Sequence, residues 1–457
     1  MMLVCSPFGE LTGTVLKQFK SLCNNYSLNL LFKNINYSKL LTRLFTSNKL
    51  ILSDLFMHQH IEKLYLSAKK ERKLIIGLMS GTSLDGLDIA LCEVSGQGMD
   101  THVEVVKFTT VDYDDDYKTR VKRVFAKREC DLEEVTLLNP WIGQLHGEMV
   151  AKTLASWGVA KELVDVIASH GQTIYHCPKN QHKRAEYGNA TLQIGDSDHL
   201  AVTAGITTIA DFRQKHIAAG GEGAPLAVYG DYLYFTSSSE NRILLNMGGI
   251  ANLTYLPKSA DARAVFSSDI GPGNTIMDAY VQRYFAPLHY DKDAAIATKG
   301  TVSEGLLTAL CDDAFFALGF PKTTGPEVFN LAYLAAAQAR SNTQNLSHFD
   351  VMATLVQFSG AMIAKAINQC SEGLTDVAVY ASGGGVHNPL LMDIILANCP
   401  ALSEIKNTDS LGINPDAKEA VLFAILANEC LSGGQQRFGN TEQGIPDITM
   451  GKISFAD

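Results

Sequence analysis

Several large protein classes are excluded by what this 457-residue sequence lacks. Its nine cysteines are scattered with no C-x-x-C pair, which argues against a disulfide framework or a zinc site and favours reduced thiols. Lys/Arg runs are missing and the formal net charge is −10, so we expect no nucleic-acid partner. The apolar runs of the first 56 residues, such as Leu28–Phe32, are too short to span a bilayer, and we expect no membrane partner.

Common catalytic signatures are absent as well. The sequence has no G-x-x-x-x-G-K-[ST], which excludes a P-loop, and no G-x-G-x-x-G after a strand-like run, which leaves a dinucleotide-binding fold without support. H-E-x-x-H and G-x-S-x-G are also missing. Any nucleotide binding by this chain must therefore use other motifs.

The first 56 residues differ in composition from the rest. They contain six basic residues, only Glu10 and Asp54 as acids, and many Leu, Asn and Ser. Two interpretations stay open, a targeting segment or an upstream translation ahead of Met57. We favour the second because Arg is nearly absent and no cleavage-like A-x-A follows. Residues 1–72 are therefore treated as an N-terminal extension outside the fold.

From Lys73 onward the chain shows one layout twice. Strand-like runs flank a glycine turn near the start of each half: Leu74–Ser80, Leu87–Val94 and Val103–Val111, then Arg242–Asn246, Ile250–Leu256 and Ala264–Ser268. Helical periodicity follows each set. The length and this repeated pattern predict an α/β fold with two similar domains, placed at residues 73–235 and 236–435. The last helix is expected to pack on the first domain, and a polar tail, 436–457, is expected to lie apart from the motifs described below.

Capping residues predict further elements. Asn139-Pro140 is typical of an N-cap followed by proline at the first helical position, which predicts a helix over Asn139–Trp157. A buried strand is expected at Val164–Ser169, with His170 and Gln172 following it.

Three glycine-rich turns lie next to predicted strands, at Gly81–Gly86, Gly248–Asn252 and Gly383–Gly385. Glycine lets backbone N–H groups approach a ligand closely, and such groups bind phosphate oxygens. A single turn of this kind is usually only a turn. Three of them, two at equivalent positions of a repeated layout, favour a nucleotide held in a cleft between two like domains.

The glycine turns belong to longer motifs, which resemble the superfamily of sugar kinases, acetate kinases, actin and the large heat-shock ATPases. Within it the sequence is similar to the anhydro-N-acetylmuramic acid kinase family across nearly all of residues 74–432. The matching runs are Gly77–Asp88 (GLMSGTSLDGLD), Ser169–Thr173 (SHGQT), Leu192–Asp196 (LQIGD), Ala210–Arg213 (ADFR), Gly220–Leu226 (GGEGAPL), Asn246–Leu253 (NMGGIANL), Asp269–Asn274 (DIGPGN), Thr324–Asn330 (TGPEVFN) and Ser382–Pro389 (SGGGVHNP).

The resemblance implies two actin-like ATPase domains, a duplicated ribonuclease H-like fold, around an interdomain cleft. It also implies a cytoplasmic enzyme of cell-wall recycling that can form a homodimer, with ATP and Mg²⁺ as cofactors and a small sugar as substrate. In the family reaction, water opens the 1,6-anhydro bridge of the sugar and the freed O6 takes the γ-phosphoryl group of ATP. Two alternatives stay open. One is a kinase of the same fold for another sugar or for an amino sugar with a free O6, and the other is an ATP-binding chaperone or regulator on this scaffold.

Asp211 is the candidate catalytic base, because ADFR matches the family's catalytic segment and the residue follows an apolar strand-like run. The alternative role for Asp211 is to cap the following turn. The resemblance assigns ATP binding to the glycine motifs: Gly81, Thr82, Ser83, Leu84, Asp85, Gly86, Leu87, Asp88, Gly248, Gly249, Gly383, Gly384 and Gly385. Asp85 and Asp88 are the Mg²⁺ candidates, through water. Asp85 has a purely structural alternative in the turn.

The candidate sugar-binding residues are neutral or charged groups with defined hydrogen-bond geometry. His170 and Gln172 either contact the sugar or are satisfied core residues. Arg213 is expected either to pair with the lactyl carboxylate of the sugar or to orient Asp211. Glu327 is expected either to accept a sugar hydroxyl or to stabilise the first turn of a helix. Asp269 either reaches the phosphates or Mg²⁺, or belongs to a tight turn in which Asn274 caps a helix over 274–285.

Overall fold

The computed structural model describes residues 58–414, 416–433, 438–439 and 445–456. The predictions for residues 1–56 therefore lie outside the described residues. Residues 58–65 include the start of helix α1 (Gln59–Lys69), and the other described residues belong to one compact unit, Leu66–Asp457. The end predicted for the N-terminal extension, residue 72, is wrong, because Ser67 is buried and its Oγ donates to Asp165 Oδ1 at 2.7 Å. Within this unit the division into domains at residue 235 stays a proposal.

The first half of the chain forms a mixed sheet. Its strands are β1 (Arg72–Ser80), β2 (Gly86–Ser95), β3 (His102–Asp112), β4 (Val166–Cys177), β5 (Ala190–Ile194) and β6 (Thr208–Ala210), joined at the edge by β12 (Lys452–Ser454). The hairpin of β1 and β2 and the pairing of β2 with β3 are antiparallel, whereas β4 is parallel to both β1 and β6. Helices α2 (Asp115–Val124), α3 (Leu132–Trp157), α4 (Lys179–His182), α5 (Ser197–Ala204), α6 (Phe212–Ala218) and α7 (Ala227–Phe235) connect these strands.

The second half repeats the topology. Strands β7 (Asn241–Met247), β8 (Ile250–Leu256), β9 (Phe266–Pro272), β10 (Val377–Ser382) and β11 (Lys406–Asn407) form a sheet in the order β11-β10-β7-β8-β9, which matches β6-β4-β1-β2-β3 of the first sheet. The helices of this half are α8 (Thr275–Tyr284), α9 (Glu304–Cys311), α10 (Leu331–Ser341), α11 (His348–Ser371), α12 (Pro389–Ala397) and α13 (Lys418–Ser432). Two sheets of this order are the duplicated ribonuclease H-like fold, so the predicted fold class is confirmed.

Three apolar cores hold these layers together. One lies between the first sheet and helices α2, α3 and α5, and a second surrounds the other sheet with α8 to α12. The third core combines the remaining face of the first sheet with α7, α13 and residues of β7, β8 and β10. Helix α13 therefore packs on the first sheet, as predicted. By length and composition α11 alone among the described helices could cross a membrane, but most of it is buried in the second core.

Two predicted boundaries were wrong. Helix α3 begins at Leu132 with Asp131 as its N-cap, and Pro140 lies inside the helix. Tertiary hydrogen bonds are formed by the residue before this proline. Asn139 Oδ1 accepts from Gly195 N, and Asn139 O accepts from Asp196 N. Strand β4 continues to Cys177, so His170 and Gln172 lie within the strand and do not follow it.

The tail also differs from the prediction. Residues 452–454 form strand β12, which pairs antiparallel with β6 at the edge of the first sheet. The tail therefore touches the ADFR motif, from which we expected it to be separate. All seven cysteines among the described residues are unpaired, and Cys5 and Cys23 lie outside those residues.

Candidate functional site

A cavity of about 570 Å³ opens between the two sheets. Both halves of the chain contribute to its walls, and several of its lining residues belong to the predicted motifs. These lining residues include Met79, Asp88, Arg213, Glu222, Asn246, Asn252, Asp269, Ser382, Gly383 and Glu419. Gly383 and Asn252 of the glycine motifs line the cavity, and Asp88 lines it from the strand that follows the first glycine turn. That this cavity holds a nucleotide stays a prediction.

The first glycine turn joins β1 to β2 and displays its polar side chains. Leu84 has a positive φ of 61° and only 2% of its surface is exposed, so its side chain anchors the turn in the core below. Thr82, Ser83 and Asp85 are exposed at the tip. Gly86 and Leu87 already belong to β2 and are buried. The groups of this stretch that a ligand can reach are therefore the hydroxyls of Thr82 and Ser83, the carboxylate of Asp85 and the backbone of the tip.

A buried polar network supports this turn from below. Gln172 Oε1 accepts from Ser80 Oγ at 2.6 Å and from Tyr117 Oη at 3.1 Å, and its Nε2 donates to Gly81 O at 3.3 Å. Tyr113 Oη donates to Ser80 Oγ at 2.8 Å and lies 2.8 Å from His146 Nε2. Both ends of the Gln172 amide are occupied by protein, so this geometry favours the core alternative, in which the residue holds the turn.

Asp88 follows the first turn on β2 and faces the cavity. Its Oδ1 accepts from Thr110 Oγ1 at 2.6 Å. Burial raises the pKa of the Asp88 carboxyl above its usual range, the largest cause being the loss of hydration of the charged form. Asp88 thus presents a partly desolvated carboxylate to the cavity, whereas Asp85 is exposed at the tip of the turn.

The second glycine turn joins β7 to β8 and caps a helix. Gly248 O accepts from Asn274 N at 2.9 Å, and Gly249 O accepts from Gly273 N at 2.8 Å and Thr275 N at 3.0 Å. Helix α8 therefore takes its capping groups from turn carbonyls. The Asn274 side chain makes no capping bond and its Nδ2 donates to Met247 O at 3.4 Å, so the predicted Asn cap was wrong.

The third glycine run begins where β10 ends and packs against the second turn. Gly383 has φ of 82°, and a Cβ there would lie 2.6 Å from Asn246 Oδ1 and 2.9 Å from the Met247 carbonyl. A Cβ on Gly385 would lie 2.5 Å from Met247 Cβ. Only glycine permits this approach. The structure thus brings the Gly383–Gly385 run against the end of β7, just before Gly248 and Gly249, and Gly383 lines the second-half wall of the cavity.

Asp269 lies on this same wall, on β9. Its Oδ2 accepts from Thr324 N at 2.9 Å. Burial, with a smaller contribution from the charge of Glu327, raises the pKa of Asp269 to about 6. Glu327 itself is exposed in the turn before α10, which begins at Leu331 with Asn330 as its N-cap. The first-turn role for Glu327 is therefore wrong, while its contact with a sugar stays a prediction.

Asp211 follows β6 at the carboxyl end of a strand parallel to β4, the position predicted for it. Its backbone has φ of 55°, in the left-handed region that Asp tolerates better than most residues. The Asp211 side chain makes no capping bond to α6, which argues against the capping alternative. Its Oδ2 lies 2.5 Å from Lys452 Nζ, and 31% of its side chain is exposed. Asp211 thus presents a charged carboxylate that no helix terminus uses.

Arg213 lies between two groups of the first half. Its Nε donates to His170 Nε2 at 3.0 Å and its Nη1 donates to Gly223 O at 2.6 Å. Burial lowers the pKa of Arg213 to about 10, and burial with the nearby Arg213 charge lowers the pKa of His170 to about 3. His170 is therefore a neutral acceptor that orients the guanidinium. Arg213 has no hydrogen bond to Asp211 among the described residues, which leaves substrate binding as its predicted role.

Three residues of this region were missed by sequence reasoning. Glu222 lines the cavity from within the quoted GGEGAPL run, so the motif could have indicated it. Glu419 lines the cavity from the first turn of α13. Neither Glu419 nor Lys452 belongs to any quoted motif, and no pattern in the sequence indicates either residue.

A duplicated ribonuclease H-like fold with glycine turns from both halves at one cleft defines a phosphotransferase or ATPase of the sugar kinase and actin superfamily. Comparison with known proteins then identifies the family. The family model for anhydro-N-acetylmuramic acid kinase matches residues 73–438. The chain is 71% identical over 401 residues to the anhydro-N-acetylmuramic acid kinase of Pseudoalteromonas atlantica, a match that covers 88% of this chain and 100% of that protein.

More distant relatives show the same breadth of similarity. The anhydro-N-acetylmuramic acid kinase of Caldanaerobacter subterraneus is 36% identical over 397 residues, which cover 86% of this chain and 100% of that protein. The chain belongs to the anhydro-N-acetylmuramic acid kinase family.

Proposed function

We propose that this chain is an ATP-dependent kinase that opens 1,6-anhydro-N-acetylmuramic acid with water and phosphorylates it on O6. The products are N-acetylmuramic acid 6-phosphate and ADP, and the enzyme works in the cytoplasm, where ATP is available. Family membership supports the substrate. The observation that carries the mechanism is Asp211, whose carboxylate lies at the carboxyl end of β6 and is not used to cap α6.

The reaction joins two displacements. Asp211 takes a proton from water as the water oxygen bonds to the anomeric carbon, and the bond from that carbon to O6 breaks. O6 then bonds to the γ-phosphorus of ATP, and the bond from that phosphorus to the β,γ-bridging oxygen breaks to release ADP. The water proton stays on Asp211 until it exchanges with solvent.

The two walls of the cleft suit a nucleotide. The exposed tip of the first turn, with Thr82 and Ser83, supplies hydroxyl and backbone donors for the phosphates. The glycine run at Gly383–Gly385 offers a flat backbone surface for adenine and ribose. Gly248 and Gly249 lie beside it at the start of α8, whose N-terminus favours negative charge.

Asp85 and Asp88 fit a magnesium ion held largely through water. Asp88 keeps one carboxylate oxygen without a hydrogen bond among the described residues, and its partial burial raises the pKa of the carboxyl. The described residues contain no group of three or more His, Cys, Asp or Glu suited to a metal. One or two carboxylates plus phosphate oxygens are what Mg²⁺ typically takes. When bound, the ion would neutralise charge on the phosphoryl oxygens.

The direct test supplies the purified protein with ATP, Mg²⁺ and the anhydro sugar. We expect a product whose mass shows that one water and one phosphoryl group were added together. N-Acetylglucosamine, which has a free O6 and no anhydro bridge, is the matched control and should not be phosphorylated at a comparable rate. Phosphorylation of that control at the same rate, with the anhydro sugar left intact, would assign the chain to another sugar.

A further inference from the structure

Strand β12, the last described strand of the chain, places Lys452 next to Asp211. In the antiparallel pairing of β12 with β6, Lys452 lies opposite Ala210 and Ser454 lies opposite Thr208. Ser454 Oγ lies 2.9 Å from Ser197 Oγ, which fixes the far end of the strand to α5. Lys452 therefore occupies the position nearest to the end of β6, one residue before Asp211.

The two residues before Lys452 hold the chain close to β6. Gly451 has φ of 115°, and a Cβ there would lie 2.5 Å from Ile209 Cγ2 and 3.4 Å from the Phe212 ring. A side chain at this position would push the strand away from β6. Met450 is buried, with 2% of its surface exposed, and anchors the chain just ahead of the glycine. The close approach of Lys452 to Asp211 is thus built into the sheet edge.

The pair itself has little to do with stability. Lys452 Nζ lies 2.5 Å from Asp211 Oδ2, with 64% of the lysine side chain exposed. An ion pair this open to solvent contributes little to folding. It does occupy one carboxylate oxygen, and Oδ1 has no hydrogen-bond partner among the described residues. Oδ1 is therefore the oxygen left to accept a proton.

We propose that Lys452 is a positioning residue for the general base. The ammonium of Lys452 binds Oδ2 of Asp211 and so orients Oδ1 towards the attacking water. The left-handed backbone conformation of Asp211 further limits the orientation of its side chain. This inference rests on the proposed role of Asp211. The residue lies beyond the segment, 73–438, that the family model matches.

Two substitutions of Lys452 test the role. Lys452→Met keeps the length of the side chain and removes the charge, whereas Lys452→Arg keeps a cation that can reach the carboxylate. We expect kcat of Lys452→Met to fall roughly 10- to 100-fold, since misplacing a reacting group by about 1 Å has that effect. KM for ATP and the thermal midpoint should stay near wild type, and Lys452→Arg should recover most of the rate.

Lys258→Met is the matched control. Lys258 Nζ forms a similarly exposed ion pair with Asp376 at 2.9 Å, at the end of β10 away from its glycine run. We expect wild-type kcat from this variant. A Lys452→Met enzyme whose kcat is within about twofold of wild type would overturn the inference. A variant with a raised KM for the sugar and an unchanged kcat would overturn it too, because the lysine would then be a substrate ligand.

The double variant Asp211→Asn/Lys452→Met separates this inference from the proposed function. If the lysine acts through the aspartate, adding Lys452→Met to Asp211→Asn should cause no further loss of kcat. A further loss equal to that of the single variant would show that Lys452 acts elsewhere. If Asp211→Asn alone keeps full activity, the proposed base is wrong whatever Lys452 does.

Discussion

Asp211 is the residue on which the proposed chemistry depends. Asp211→Asn keeps the shape of the side chain and an acceptor oxygen but cannot take a proton. We expect the rate to fall by about 10²–10⁴, the usual contribution of a general base. Ring opening and phosphoryl transfer should fall together, because O6 is released only when the bridge breaks.

Nucleotide binding is the internal control for that variant. The glycine turns that would hold ATP lie on other elements, so ATP affinity measured by calorimetry should be almost unchanged. Turnover above about a tenth of wild type would contradict the role of Asp211, given that expected range. A variant that lost ATP binding while keeping the chemistry would contradict it too.

Burial of the Asp269 carboxylate in the cleft should lower the free energy of unfolding at neutral pH. Its native pKa of about 6 lies above the unfolded value near 4, so the native state binds more protons between those pH values. Stability of the free enzyme is therefore lost as the pH rises through this window. We expect Asp269→Asn to be more stable than wild type at pH 7, by roughly 1–3 kcal/mol, with the gain shrinking towards pH 4.

Thermal melts of the nucleotide-free proteins across this pH range would measure the effect. Asp393→Asn, at an exposed position of α12, is the control and should change neither the midpoint nor its pH dependence. If Asp269→Asn gains no stability at pH 7, the carboxylate is better hydrated in the cleft than its burial implies.

At the scale of elements, the close packing of α13 on β1 depends on one glycine. A Cβ on Gly77 would lie 1.9 Å from Ala420 O, a backbone atom that cannot move without shifting the helix. Gly77→Ala should therefore destabilise the protein by roughly 1–3 kcal/mol or more, as overpacking does, with a lower denaturation midpoint in urea. Since α13 carries Glu419 into the cleft, activity should fall as well.

Gly305→Ala is the matched control for this substitution. Gly305 lies in α9, and its new methyl group would have Thr343 Cγ2 as its nearest neighbour at 3.8 Å, an ordinary contact. Alanine is the better helix former, so this variant should be as stable as wild type or slightly more so. Equal midpoints for the two variants would show that α13 can shift without cost.

The elements that the sequence predicted well are those with strong local patterns. Strand β8 has the predicted bounds Ile250–Leu256, and the glycine turns were evident because period-2 apolar runs stop at them. The errors share a different cause. Pro140 was interpreted as a helix start, although tertiary bonds to Asn139 accompany it inside α3. Strand β12 has three residues, too few to show any period, and its pairing with β6 is remote in sequence.

The candidate site divides in the same way. Motif matches placed Asp211 and the glycine turns at the ends of strands, where the structure has them, since this placement depends on local backbone geometry. Their roles stay predictions. The roles of His170 and Gln172 depend on which groups lie across the sheet, and both form hydrogen bonds within the protein. Lys452 could not be predicted, because its contact with Asp211 exists only once the sheet edge has formed.

At the scale of the whole molecule, the first 56 residues should be dispensable. The match to the Pseudoalteromonas atlantica kinase spans 401 residues of this chain and the full length of that relative. Residues 1–56 carry no periodic apolar face by which to dock. A protein that starts at Met57 should therefore keep the solubility, thermal midpoint and kcat of the full chain. A truncated form that is insoluble or inactive would show that the segment has a structural role.

The two halves should close on their ligands. Each half carries its own sheet and its own wall of the cavity, and the proposed reaction must admit one water to the anomeric carbon while keeping water from the γ-phosphoryl group. We therefore expect movement about the boundary proposed at residue 235.

Small-angle scattering should show a smaller radius of gyration when ATP and the anhydro sugar are both bound. Asp211→Asn is the protein to use, because it should bind both ligands without turning them over. ATP alone should produce only part of the change, since in the proposed site it contacts the glycine turns and leaves the sugar side open. An unchanged radius with both ligands bound would mean that the cleft excludes water without closing, and movement about residue 235 would then not be part of the reaction.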